Sequence, residues 1–149
     1  MSKYNIIEIK EKEAKYRSNI SPESMDRFQE QIMNIIVFQK KYLEKDYSAK
    51  QLAEEIGTNT RCISAVVNVR FHMNFTSFVN SYRINDAKSI LIDKRYQDLK
   101  MEKVAEMVGF ANRQSFYASF FRFTGITPRQ WRLDNYKHHP SIISKKKKK

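Results

Sequence analysis

Few side chains in this 149-residue sequence have the type and spacing that covalent or metal chemistry needs. Cys62 is the one cysteine. No histidine lies near it in sequence to take its proton, so its expected role is a small buried residue rather than a nucleophile. His72 is isolated, and His138 and His139 are adjacent. No carboxylate or thiol stands at a spacing that completes a metal site with them. There is no glycine-rich phosphate loop and no paired acidic dyad. The sequence therefore points away from an enzyme, a metal or a cofactor. The polar residues that do cluster are of kinds that recognise rather than react. Asn59, Thr60, Arg61, Ser64 and Asn68 form one set, and Asn112, Arg113, Gln114, Tyr117 and Ala118 form another. A guanidinium offers parallel N–H donors in a fixed plane, and a primary amide offers a donor beside an acceptor.

Both sets need rigid elements to hold them, and the sequence supplies helices. Gly and Pro number only 3 each, too few for the turns of an all-β chain or the loops of a doubly wound α/β fold. The expected class is all-α. Ser21-Pro22-Glu23 is a helix start, and Met25, Phe28, Ile32, Ile35, Ile36 and Leu43 recur at helical spacing, predicting one amphipathic helix over about 22–44. Ser48 with Gln51 reads as a capping box for a short helix that closes at Gly57. Thr58 or Asn59 can cap the next helix, which runs to about Phe71. A longer helix follows over about 76–93, then a short one over about 101–108, another over about 112–123, and a last one from Thr127-Pro128. The expected organisation is a charged leader at 1–20, the amphipathic helix within 21–46, a first helical pair at 47–75 and a connecting helix at 76–98. A second pair with the C-terminal helix covers 99–136, and a basic tail covers 137–149.

The two helical pairs repeat. Leu52-Ala53-Glu54-Glu55-Ile56-Gly57 matches Val104-Ala105-Glu106-Met107-Val108-Gly109 at an offset of 52 residues. After a turn one residue longer in the second copy, Ile63 and Val67 match Phe116 and Phe120. An alanine where helices cross, a glycine at the reversal and apolar residues four apart describe a helix-turn-helix unit, whose second helix enters a major groove. Ile63, Val66, Val67 and Phe71 are expected to bury the first such helix, and Phe116, Phe120 and Phe123 the second. The phenylalanines are read as core rather than as a base-stacking platform.

The net charge is +12, and Lys145–Lys149 supply five of those charges, so the remainder is still basic. That balance suits a polyanion such as DNA, RNA or an acidic membrane surface. A single cysteine fits a reducing cytoplasm. The N-terminus lacks a signal-peptide pattern, and no run of about 18 apolar residues could span a membrane.

The stretch 48–133 resembles the AraC/XylS family of bacterial transcription regulators. Val104 to Phe110, Ser115-Phe116-Tyr117, Phe120-Phe121-Arg122 and Thr124 to Arg132 look like that family's C-terminal signature. Phe78 to Ile84 resembles the start of its connecting helix. His72 stands where the family usually has Gly, which implies either a looser turn or a histidine at positive φ. Trp131 replaces the more usual Tyr. The resemblance implies two helix-turn-helix units joined by a helix and bound to successive major grooves of double-stranded DNA. RNA polymerase is then a second expected partner, and a cytoplasmic, nucleoid-associated bacterial location follows. Many members carry a separate ligand-sensing domain, and the expectation from these 149 residues is a DNA-binding part without one.

The family's base-reading positions fall on Arg61, Ser64 and Ala65. Asn68 is exposed beside them, and Arg113, Gln114, Tyr117 and Ala118 are the counterparts in the second unit. Arg suits guanine, Gln suits adenine, and Ala, Ser or Tyr can meet a methyl group, a sugar or a single acceptor. Phosphate contacts are expected from Asn59, Thr60, Asn112, Ser115, Arg122, Arg129 and Arg132, with structural ion pairs as the alternative role for Arg122 and Arg132. Two readings remain open: a sequence-specific regulator, or a non-specific nucleic-acid or partner-binding helical adaptor. The helix at 22–44 either covers the first unit or pairs two chains, and the burial needs of a small domain favour the first.

Overall fold

The structure is a computed structural model that describes residues 20–137. The leader before residue 20 and the tail from His138 lie outside the described residues. Those described are all-α, with no strand among them. The helices are α1 (Pro22–Ile32), α2 (Ala49–Ile56), α3 (Thr60–Phe71), α4 (Phe75–Leu91), α5 (Met101–Met107), α6 (Arg113–Thr124) and α7 (Pro128–Lys137).

The chain divides into two compact units. One holds the described residues to Tyr42 with Tyr47–Val79, and the other holds Leu43–Asp46 with the described residues from Asn80. Helix α4 runs from the first unit into the second.

In the first unit α1, α2 and α3 pack on one another. Ser21 caps α1 by accepting from the Ser24 amide at 3.2 Å, with Pro22 in the first turn, as its residue types dictate. The single helix expected over 22–44 is broken. After Ile32 the chain widens into a π-helical turn, Met33–Phe38, closed by the Gln39 amide on the Asn34 carbonyl at 2.9 Å. Lys40 then reverses at φ 57°, and a 3₁₀ turn follows at Lys41–Leu43. The β-branched run Ile35-Ile36-Val37 loses side-chain freedom in a regular helix, and Ile32 and Ile36 are both fully buried in the arrangement adopted. Met25 is buried with them, so the apolar stripe of α1 covers α2 and α3. Arg70 fastens the two ends of this unit. Its guanidinium pairs with Asp26 at 2.7 Å and donates to the Gln29 side chain at 3.0 Å.

The second unit centres on Ile84, Leu91, Val104, Val108, Phe116 and Phe120, with Trp131 packed against them. Phe116 meets Phe110, Tyr117 and Phe120 at 5.5, 6.0 and 5.8 Å between ring centres. Arg83 is the one buried charge among the described residues. It donates to the Glu44 carbonyl at 2.9 Å and to the Asn80 side chain at 3.1 Å, and lies 5.6 Å from the Phe110 ring centre. Burial lowers its pKa, and the nearby Asp46 carboxylate opposes that shift.

The sequence repeat is also a repeat of geometry. Ala53 and Ala105 are both buried. Each carbonyl accepts a hydrogen bond from the residue after the glycine, Thr58 at 2.8 Å and Phe110 at 2.9 Å. Gly57 and Gly109 both sit at positive φ, 87° and 98°. This is the helix stop in which a left-handed residue turns the chain back over the last carbonyls.

Candidate nucleic-acid interface

In each unit an asparagine starts the second helix. The Asn59 side-chain oxygen accepts from the Cys62 amide at 2.9 Å, and that of Asn112 accepts from the Ser115 amide at 2.8 Å. Each cap satisfies one of the unpaired amides of a helix N-terminus and leaves the first turn pointing its side chains outward. The asparagine oxygens therefore hold the helix starts, and only their amide N–H groups are outside the cap.

On α3, Asn59, Thr60 and Arg61 are exposed, and Ser64 and Asn68 are half-buried. The Asn68 amide donates to the Ser64 carbonyl of its own helix at 2.9 Å. Ala65 departs from the expectation that it reads a base. It is only 2% exposed, because it lies on the side of α3 that carries Val66 and Val69 inward. Phe71, expected in the core, is half-buried and stacks on Phe78 with ring centres 4.5 Å apart. Cys62, expected to be buried, is of intermediate exposure. His72 resolves the question left by the missing glycine. It adopts φ 57°, ψ 35°, and its amide closes α3 on the Asn68 carbonyl at 3.1 Å.

At the start of α6, Asn112, Arg113, Gln114, Ser115 and Ala118 are exposed, and Tyr117 is half-buried. Arg113 is the most constrained of these by its neighbours. Its guanidinium lies 4.8 Å from the Tyr117 ring centre, approaches the Tyr117 hydroxyl at 3.4 Å and comes within 3.7 Å of Glu102 on α5. The Tyr117 hydroxyl beside it is the main cause that raises its pKa, with a smaller contribution from Glu102. Arg122 and Arg129 are exposed. Arg132 is half-buried and is engaged within the fold. Its guanidinium donates to the Leu91 and Tyr96 carbonyls at 3.2 and 3.4 Å, tying α7 to the end of α4. Phe123, expected in the core, is 38% exposed, while Phe116 and Phe120 are fully buried as expected. Trp131 keeps a packing role, its ring 6.0 Å from Phe120.

Glu102 was missed by sequence reasoning. It precedes Arg113 across a turn, and no periodicity links the two. Among the described residues no cluster of His, Cys, Asp or Glu gathers to hold a metal ion, and no helix is long and apolar enough to cross a membrane.

Two helix-turn-helix units, each with an exposed N-terminal face bearing an arginine, define the class: a helix-turn-helix DNA-binding domain. Residues 52–134 match the family described as a helix-turn-helix domain, and the chain belongs to that family, in its AraC type. Over 99 residues it is 29% identical to YtdP, an uncharacterised HTH-type transcriptional regulator of Bacillus subtilis strain 168. Over 93 residues it is 31% identical to an uncharacterised HTH-type transcriptional regulator of Staphylococcus aureus strain MSSA476. These alignments take in 66% and 62% of this chain and 12% of each relative, so the chain spans a small part of the curated relatives it matches. Among solved structures, the C-terminal domain of the response regulator yesN of Fusobacterium nucleatum superposes with a TM-score of 0.62 at 28% identity, covering 70% of this chain and 96% of that one. The C-terminal domain of AraT, a response regulator of Geobacillus stearothermophilus, shares the fold with a TM-score of 0.61 at 22% identity, covering 78% and 88%.

Proposed function

We propose that the protein is a sequence-specific transcription regulator that places α3 and α6 in successive major grooves of double-stranded DNA. The observation that carries this reading is the repeated unit. Twice in one chain, a capped helix follows a glycine reversal and presents an arginine on its exposed first turn, Arg61 in α3 and Arg113 in α6, with Gln114 beside the second. The bases are read by Arg61 and Ser64 from α3, with Asn68 beside them, and by Arg113, Gln114, Tyr117 and Ala118 from α6. Thr60, Ser115, Arg122, Arg129 and the amide N–H groups of Asn59 and Asn112 hold the phosphates, a division that fixes register separately from sequence. RNA polymerase is the second partner in this reading, and the bacterial nucleoid is where it acts. The net charge of +12 also suits a non-specific nucleic-acid binder. Selection of bound DNA from a random pool separates the two. A regulator yields a defined site and binds it about 10³-fold or more tighter than random duplex at physiological salt. Recovery of no preferred sequence overturns the proposal.

A further inference from the structure

A groove of ≈ 500 Å³ opens in the first unit between the start of α1 and the first turn of α3. Helix α1 lies outside the matched family region, which begins at residue 52. The groove is lined by Arg27 and Ser24 from α1 and by Asn59 and Arg61 from the start of α3. Among the described residues, no acidic side chain lines it. Ile20, Phe28 and Ala65 give it an apolar wall. Arg27 is exposed, and its guanidinium lies 5.2 Å from the Phe28 ring centre, along that wall.

Two guanidinium groups bordering one groove give it a positive potential that favours an anion. The N-terminal ends of two helices, capped by Ser21 and Asn59, face the same space and add positive potential. An anion with an apolar flank suits the groove better than a bare ion, because the apolar wall then has something to cover. A deoxyribose-phosphate unit has that form. We propose that this groove receives a DNA backbone phosphate and its sugar beside the base-reading turn of α3, with Arg27 as the phosphate ligand. Helix α1 is then part of the DNA interface as well as the cover of the first unit. This inference rests on the DNA-binding reading above.

The test compares Arg27→Ala and Arg27→Lys with the unaltered chain, titrating a selected site and a random duplex across salt concentrations. Alanine is favourable in an exposed helix, so α1 is retained, and a thermal melt checks it. The expected result for Arg27→Ala is a salt slope shallower by about one and affinity lowered by the same factor on both duplexes. Arg27→Lys restores most of the slope, since a phosphate accepts either cation. An unchanged slope in Arg27→Ala, or a loss confined to the selected site, overturns the groove assignment while leaving the DNA reading intact. Absence of a salt-dependent slope in the unaltered chain overturns the DNA reading itself.

Discussion

The residue that most directly joins structure to specificity is Arg113. Its planar guanidinium lies over the Tyr117 ring and within 3.7 Å of Glu102, two contacts that favour the arrangement it adopts. Preorganisation of this kind reduces the ordering cost on binding, because the side chain is already held near one geometry. The approach to Glu102 is long and exposed and contributes little stability by itself. Arg113→Ala is expected to cost about 1–3 kcal/mol on the preferred site and to relax the preference at one base pair, leaving the others in place. Binding measured on a panel of single-base variants of the selected site checks this. A uniform loss across the panel would reassign Arg113 to the backbone. Ala65 shows the limit of reading such roles from sequence. The resemblance set it beside Arg61 and Ser64, but on α3 it stands one turn before Val69, on the side that packing took inward.

At the scale of elements, the legible parts were those with local causes. Ser21 and Ser48 cap as their types and positions imply, Asn59 takes the cap that the sequence left open between it and Thr58, and Gly57 closes α2 as expected, while Asn112, read as the first helical residue, is the cap of α6. The parts that were not legible depend on what packs from elsewhere. Nothing in the apolar spacing over 22–44 signals that α1 stops at Ile32, because Met25, Ile32 and Ile36 are buried as the helical spacing requires; the break shows only further on, where Tyr42 and not the expected Leu43 is buried. For Arg132 the sequence left a phosphate contact or a structural ion pair open, and its actual partners, the Leu91 and Tyr96 carbonyls, lie more than 35 residues earlier, where no local pattern points. Gly57 offers a quantitative check on the turn. A Cβ there would meet nothing within 4 Å, so the need for glycine lies in its φ of 87° alone. Gly57→Ala is expected to lower stability by about 1–2 kcal/mol, the cost of a left-handed L-residue. Gly57→Asn should cost less, since asparagine tolerates that region. Denaturant unfolding of both variants tests the ordering, and equal stability of all three would show that the reversal is not strained.

At the scale of the whole molecule, the question is whether both units read DNA. The Lys145–Lys149 run, outside the described residues, bears on affinity and not on this question. Its removal is expected to weaken selected and random duplexes by one common factor and to flatten the salt slope by about 0.9 for each phosphate that the lysines had neutralised, leaving the specificity ratio unchanged. Titration of both duplexes with the truncated chain measures this, and a fall in the ratio would place the lysines at bases. Arg61 and Arg113 bear on the question directly, since they belong to different compact units. If α3 and α6 occupy successive major grooves, selection returns two blocks of preferred bases about one helical turn apart, roughly 10 base pairs. Arg61→Ala then relaxes one block and Arg113→Ala the other. With each arginine acting in its own groove, the two losses add in the double variant within about 0.5 kcal/mol. A double variant no weaker than Arg113→Ala alone would mean that the first unit holds the backbone without reading it. The selected site would then shorten to a single block, and the repeat would be one of fold rather than of function.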